Sequence, residues 1–502
     1  MFLKLNSGAA ASGTADVQAR GGGKGSGGGD TGAEPTAPRY SAVYSLGDSL
    51  IDAGNILGLA RWFDGLPFQD APEGTPLESL GYFEGRFSDG YTFADLVTNK
   101  YTGTPSEPIF PFGYEDPVFG FRIAPFAPEP KGNNTNWAYG GAQIRSGGAI
   151  PDLDDQTDAL RDARDGAYAA DALFLVTIGG NDVRELAPSN ADPADAETAF
   201  ARLQRAADEL FDEMREIVAR GGKHFFIAGL PDVGIIPRYD LDGDRLLDAA
   251  NLLGGTSEQE RAAAATKYAA HLDALIRDEV IPGLEALGAT VTYVPLASTD
   301  DETGALEAIL PTIAETYGIA LEDLRANLLD YQETIFFDLV HPNAQVHALV
   351  GSLIHATLEG EAWVETAPLT GEAVDFSQAG SIETAGEVDR IKVSLVKGET
   401  YRIEMLGVSS TGEAGDLADP FLALRDPRGR TFEEFLDGSG DDAGLGFDAV
   451  LEFTATRSGS WTIEASASGA LTGDYLVQVG AIEVSAPLAI APDPVSNVML
   501  IG

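Results

Sequence analysis

The sequence predicts an α/β fold built on a parallel sheet with helices on both faces, followed by an all-β sandwich. Three observations lead there. From Tyr40 to about Glu365, short apolar runs bounded by Gly, Pro or Asp alternate with long helical periodicities. Beyond Thr366 that helical period disappears, and short alternating runs separated by Gly turns take over. At 502 residues the chain can also bury more than one core. Strands that alternate with helices form a parallel sheet, and in such sheets reacting groups collect at the carboxyl ends of the strands.

Taken in order, residues 1–39 are a flexible leader, because Gly8 to Pro38 are mostly Gly, Ala, Ser and Thr. The piece Gly21-Gly22-Gly23-Lys24-Gly25-Ser26 lacks the Ser or Thr that follows the lysine of a phosphate loop, so low complexity is the better reading. The runs 42–46, 173–178, 224–228 and 290–294 suit buried strands. A helix is expected over 193–220, opened by Asp192-Pro193 and stopped by Gly221. Its Phe200, Leu203, Leu210, Met214 and Ile217 form one apolar stripe. A second helix is expected over 257–278, with Ser257 and Glu260 as a capping box. These elements make 40–365 the first domain. In 366–484 the runs 390–395, 400–406, 421–425, 450–455, 460–465 and 474–479 predict a sandwich, and 485–502 form a tail.

Charge and composition remove several functions. Asp and Glu total 79 against 32 Lys and Arg, a net charge of −47. Such a surface repels phosphate backbones and anionic bilayers, so a nucleic-acid partner is set aside. With no cysteine, disulfides, thiolate zinc sites and a cysteine nucleophile are excluded together. No apolar run approaches the ~20 residues that span a bilayer, and Met1 to Asn6 is too short for a signal-peptide core.

Four motifs carry chemistry. Ser45-Leu46-Gly47-Asp48-Ser49-Leu50-Ile51-Asp52 follows the first expected strand, where a turn presents the Ser49 hydroxyl to a cleft. Asn136-Trp137-Ala138-Tyr139-Gly140-Gly141-Ala142 offers backbone N–H groups at a glycine pair. Ile178-Gly179-Gly180-Asn181-Asp182 ends another strand; the Asn181 amide can donate to a developing oxyanion, while Asp182 reads as a helix cap. In Phe337-Asp338-Leu339-Val340-His341-Pro342-Asn343 a carboxylate three residues before the imidazole can fix its tautomer and stabilise its cation. The other four histidines, His224, His271, His347 and His355, read as packing or surface residues.

These motifs, in this order, resemble the GDSL/SGNH hydrolase family across about Tyr40 to Glu365. The segments Tyr82-Phe83-Glu84-Gly85-Arg86-Phe87-Ser88-Asp89-Gly90 and Gly229-Leu230-Pro231-Asp232-Val233-Gly234 look like its bacterial branch of phospholipases, lecithinases and haemolysins. The resemblance implies a three-layer, flavodoxin-like α/β/α domain with Ser49 as nucleophile, His341 as general base and Asp338 as its partner. It also implies an oxyanion hole made by the N–H of Ser49, the N–H of Gly140 and the amide of Asn181, with Gly141 nearly as good a fit as Gly140. Residues 371–479 resemble bacterial pre-peptidase C-terminal (PPC) modules through Gly386-Glu387-Val388-Asp389, Asp419-Pro420-Phe421-Leu422-Ala423-Leu424, Asp441-Asp442-Ala443-Gly444-Leu445-Gly446-Phe447-Asp448 and Gly473-Asp474-Tyr475. Such modules accompany secreted hydrolases, so the expected location is extracellular, by an export signal not cleaved from the N-terminus, with the cytoplasm as the alternative.

The expected partner is a small ester or lipid, and no cofactor is required. A structural calcium ion is the one metal to consider. Asp240, Asp242 and Asp244 alternate as in a calcium loop, with Asp248 and Asn251 beyond. Glycine falls at the fourth position rather than the sixth, however, and a solvated acidic loop is the favoured reading; Asp437, Asp441 and Asp442 are similarly ambiguous. The aromatic-rich loop 105–130 is expected either to line an acyl pocket or to pack over the sheet. Competing readings are an acetylesterase on decorated polysaccharide and a catalytically inactive binding protein.

Overall fold

Each apolar run of the alternating region becomes a strand of one sheet. The computed structural model describes residues 39–64, 74–114, 129–144, 150–187, 193–240, 242–249, 251–253, 256–299, 302–363, 367–433 and 444–482. The expected leader up to residue 38, the tail, Asp192 and the Asp437, Asp441 and Asp442 cluster lie outside the described residues. Strands β1 (Ala42–Gly47), β2 (Glu107–Pro108), β3 (Thr135–Asn136), β4 (Ala172–Thr177), β5 (His224–Ala228) and β6 (Thr290–Val294) are all parallel, in the order β2-β3-β1-β4-β5-β6.

Helices α1 (Asn55–Asp64), α2 (Phe93–Thr102), α3 (Leu153–Ala163), α4 (Gly180–Leu186), α5 (Pro193–Ala219), α6 (Glu258–Leu275), α7 (Ile281–Ala286), α8 (Ala305–Tyr317), α9 (Leu321–Ala326) and α10 (Ala344–Glu359) surround the sheet. The period of two along each strand sorts its side chains between two cores. Ala42, Tyr44, Leu46, Phe174 and Val176 join the core of α3, α5 and α6. Val43, Leu173, Leu175 and Phe226 join that of α2, α8 and α10.

The expected long helices form, with one correction. In α5, Leu203, Leu210, Met214 and Ile217 are buried as the stripe requires, and Gly221 leaves the helix at φ +109°. Ser257 and Glu260 close the capping box of α6. The second helix is not one continuous α-helix to Asp278, because a π-turn occupies Ile276–Val280 before α7. Pro282 has no N–H for the Asp278 carbonyl, and the wider turn carries the chain past that missing bond.

Asn251–Leu253 and Thr256–Ser257 form a two-stranded antiparallel hairpin before α6, and from Phe376 onward the strands pair antiparallel in two four-stranded sheets, as a sandwich requires. One runs β8 (Val388–Leu395), β13 (Gly459–Ala467), β10 (Pro420–Arg425), β11 (Thr431–Glu433); the other runs β12 (Ala449–Thr454), β9 (Thr400–Leu406), β14 (Gly473–Ile482), β7 (Phe376–Ile382). The expected strands match six of these; β7 and β11 lie outside the expected runs. Between Phe376 and Ile382, β7 carries only Ser, Gln, Ala and Gly, so no apolar alternation announces it.

The sandwich core extends into the helices beneath it. Leu96 of α2 and Ala344 and Ala348 of α10 belong to the same apolar cluster as Trp461, Phe447 and Ile463. Buried Lys100 pairs with buried Asp419 at 3.1 Å and sits over the Phe447 ring. Asn99 donates to the Ser468 carbonyl, and Gln345 to that of Ser409. Removing one partner of a buried ion pair strands the other charge and costs about 3–5 kcal/mol. Asp419→Ala should therefore lower stability in urea unfolding by that amount, and a loss under about 1 kcal/mol, the level of an exposed pair, would show that the contact does not hold the two layers together.

Candidate active site

The loop after β1 is shaped by a carboxylate buried beneath it. Asp52 is fully buried and accepts N–H bonds from Gly54 at 2.8 Å, Asn55 at 2.6 Å, Ile56 at 3.2 Å and Gly140 at 2.9 Å. Asn55 beside it uses its whole amide: its N–H groups go to the carbonyls of Asn136 and Ala138, and its oxygen accepts from Ile109 and Phe110. Asn136 returns a bond to the Ile51 carbonyl at 2.6 Å. From the opposite side, Gln156 of α3 bonds both the N–H and the carbonyl of Gly47. This buried, hydrogen-bonded network fixes where Ser49 emerges from β1.

The Ser49 hydroxyl meets an imidazole carried by a distant loop. Ser49 Oγ lies 2.8 Å from His341 Nε2, and His341 Nδ1 lies 2.8 Å from Asp338 Oδ2 and 3.0 Å from Oδ1. An ionised carboxylate only accepts, so Nδ1 carries the proton and Nε2 accepts from the serine. Asp338 also takes the N–H groups of Val340 and His341 and the hydroxyl of Tyr82. Burial alone would raise its pKa, but the bond and charge of His341 with the two backbone donors outweigh it and hold the carboxyl near 2. Its ionised form therefore survives at any pH where the imidazole can act as a base.

The segment 82–89 supports the histidine loop. The Phe87 ring lies 4.8 Å from that of His341, Ser88 donates to the Pro342 carbonyl, and Asp89 accepts the first N–H of α10, from Ala344. Arg86, buried, holds Asp95 through two bonds of 2.7 and 3.0 Å. Asn343 caps α10 by accepting from Val346. Nothing in the sequence marks Tyr82, Asp52 or Asn55 as a site residue. The Gly-Asp-Ser motif reaches Asp52, but the bond that ties it to the glycine pair comes from Gly140, 88 positions away.

Two expectations change. The N–H of Gly140 is engaged by Asp52 and is not available to a substrate oxygen. A side chain at Gly140 would overlap the Phe87 ring, which explains that glycine without a catalytic role. Gly141, at φ +88°, has an N–H with no partner among the described residues, as does Ser49. Asp182 is not the cap of α4: Gly179 holds that position, and Asp182 is buried in the first turn, accepting the Ile144 N–H. Asn181 sits beside the serine pocket; its amide donates one N–H to the Ala142 carbonyl, and its oxygen accepts from Arg184. The pocket is lined by Ser49, Asn181, Arg184, His341 and the apolar Leu50, Ile236 and Val340.

Elsewhere, one carboxylate oxygen each of Asp240, Asp242 and Asp244 lies within 4.8 Å of the others. Asp242 and Asp244 each also accept an N–H two residues on, as an acidic turn does. Of the loop 105–130, Phe110 and Phe112 pack against the sheet core and Tyr114 is buried, while 115–128 lie outside the described residues.

Comparison with known proteins adds the following. A model of the GDSL-like lipase/acylhydrolase family matches residues 43–354. Among curated proteins, the chain is 23% identical over 357 residues to a phosphatidylcholine-sterol acyltransferase of Aeromonas hydrophila, covering 66% of this chain and 93% of that one. It is 29% identical over 245 residues to a GDSL esterase/lipase of Arabidopsis thaliana, covering 44% of this chain and 60% of that one. Among solved structures, a tail fibre protein of an E. coli phage is similar at 11% identity and a TM-score of 0.30, covering 88% of this chain and 47% of that one.

Two outcomes follow from the buried acids. Asp52→Asn turns a donor toward the N–H groups of Ile56 and Gly140, and should cost about 1–3 kcal/mol in urea unfolding together with a fall in ester turnover. Unchanged stability and turnover would remove the network from its role. Burial also pushes the carboxyl of Asp48 up to about 7 and that of Asp52 to about 6. Each keeps its proton in the fold where the unfolded chain, titrating near 3.8, has lost it, so stability falls as pH rises from about 4 to about 7. Melting curves across that window should decline less steeply for Asp48→Asn than for the parent; equal slopes would contradict the burial argument.

Proposed function

The chain belongs to the GDSL-like lipase/acylhydrolase family, and we propose that it is a secreted carboxylic-ester hydrolase that works through an acyl-enzyme on Ser49. The observation that carries this reading is the 2.8 Å approach of Ser49 Oγ to His341 Nε2, with Asp338 on the far side of the ring. Ser49 attacks the ester carbonyl while His341 takes its proton. Asp338 stabilises the imidazolium that results. The oxyanion is held by the N–H of Ser49, the N–H of Gly141 in place of that of Gly140, and the remaining N–H of the Asn181 amide, which Arg184 polarises through its oxygen. His341 then protonates the leaving alcohol, and water repeats the sequence to free the acid. These steps run on side chains and backbone N–H groups alone.

Within this class, a phospholipid is supported by Arg184. In a chain of net charge −47, this cation lines the serine pocket, bonded to the Asn181 oxygen and under the charge of Asp48 and Asp338. A phosphate on the leaving group would answer it. The apolar walls around Ser49 disfavour an acetylated polysaccharide, and the assembled serine and histidine disfavour an inactive binding protein. The composition without cysteine, and the likeness of 371–479 to modules that accompany secreted hydrolases, support an extracellular enzyme of the bacterial branch; the cytoplasm is the alternative.

The test is direct. Ser49→Ala should abolish hydrolysis of a nitrophenyl butyrate and labelling by a fluorophosphonate while the melting curve is kept. Asn181→Ala should lose about 10²–10³ in turnover. Turnover retained by Ser49→Ala would overturn the assignment.

A further inference from the structure

Three carboxylates converge on one turn between β5 and α6. Pro237–Tyr239 make a short 3-10 turn, and Gly243, at φ +72°, bends the chain soon after it. One oxygen each of Asp240, Asp242 and Asp244 then lies within 4.8 Å of the others. Each acid takes one backbone N–H: Asp240 Oδ2 from Arg245, Asp242 Oδ1 from Asp244 and Asp244 Oδ1 from Leu246. The second oxygen of Asp240 is different from the rest of the turn. Asp242 and Asp244 are exposed, but Asp240 is only 8% exposed, and its Oδ1 is closed to solvent and accepts no hydrogen bond among the described residues. A carboxylate oxygen cut off from water and left unanswered is costly, and a native fold keeps one where something supplies the answer. No side-chain cation does so. Among the described residues none of the three acids forms an ion pair, and Arg245, in the same turn, reaches instead to Glu333 at 3.4 Å and to the Asp330 carbonyl. Partial burial, and then the charges of Asp242, Asp244, Glu258 and Asp240, hold the Asp248 carboxyl above its ordinary range, so negative charge accumulates there without balance.

We infer that Asp240, Asp242 and Asp244 hold a calcium ion that ties this turn to the loop carrying His341. The donors are all carboxylate oxygens, which suit a hard cation. Ligands at about 2.3–2.6 Å from a calcium ion stand up to about 5 Å apart, and the convergence within 4.8 Å meets that span. Calcium takes about six to eight oxygens in irregular geometry, so backbone carbonyls and water complete the shell; magnesium demands a near-regular octahedron and gives up its own water reluctantly. Two contacts carry the effect to the site. The Arg238 N–H donates to the carbonyl of Leu339, which lies between Asp338 and His341, and Arg245 holds Asp330 and Glu333. An ion in the turn therefore steadies 330–341 from outside, without touching an ester. Three acidic donors on a single turn make a weak site, with Kd on the order of 10⁻⁴–10⁻³ M.

The experiment strips the full chain with a chelator, then titrates it with calcium chloride or magnesium chloride in a calorimeter and by melting. At about 10 mM calcium the folded-to-unfolded ratio should rise at least about tenfold, lifting the melting temperature by about 2 °C or more, and magnesium should do less than half as much. Asp242→Asn/Asp244→Asn changes two exposed donors and leaves the packed core untouched. It should weaken calcium binding at least about tenfold and lose the calcium-specific shift. Asp240→Asn keeps the shape of the buried side chain and should lose the shift as well. Amide exchange over 242–248 and 330–341 should slow in the parent when calcium is added. A parent that binds no calcium at about 10 mM, an equal shift with magnesium, or a response kept by the double variant would overturn the site. Unchanged exchange over 330–341 would overturn its tie to the histidine loop. None of these readouts uses ester turnover, so failure here leaves the hydrolase reading standing, and fluorophosphonate labelling tests that reading separately.

Discussion

The bond on which the rest of the site depends is the one from the Gly140 N–H to the buried Asp52 carboxylate. It joins the turn after β1 to the glycine pair after β3, two stretches of chain that share no sequence proximity. A carboxylate without solvent persists in a protein only when its lone pairs are answered, and here four N–H groups do so. Its position therefore sets both the exit of Ser49 from the sheet and the orientation of Gly141. Asn55 and Asn136 reinforce the same junction from below, each with its amide engaged.

The imidazole is positioned by different means. His341 stands in a tight loop closed by the bond from the Phe337 N–H to its own carbonyl and followed at once by α10. The segment 82–89 braces that loop with a ring, two side-chain hydrogen bonds and the Tyr82 hydroxyl. Hydroxyl and base thus arrive from positions 292 residues apart already in contact. Such preorganisation leaves little to rearrange when charge develops on a bound ester.

What the sequence made legible follows from range. Strands such as 224–228 and 290–294 were readable to the residue because one short apolar run, bounded by Gly and Pro, carries the whole signal. Ser49, Asp338, His341 and Asn181 were readable through local motifs, and the structure brings the first three into one line and the fourth to the same pocket. Gly140 could not be told from Gly141, because the distinction lies in a partner 88 positions away. Tyr82 was invisible as a support of Asp338 for the same reason, at a separation of 256. The π-turn before Pro282 was missed because the apolar period passes through it unbroken. β7 was missed because a polar edge strand is held by its neighbour's ladder rather than by its own side chains.

The apolar patch shared by the helices and the sandwich bears on how such chains can be recombined. Leu96, Ala344 and Ala348 are covered by another part of the same polypeptide, where a free-standing hydrolase would present those positions to water. Grafting the α/β unit onto a different appendage would require rewriting that face in polar residues, some of them on the very helix that begins three residues after His341. The two halves are consequently bound to diversify as a pair, and a swap of modules would register first as insolubility and only afterwards as altered chemistry.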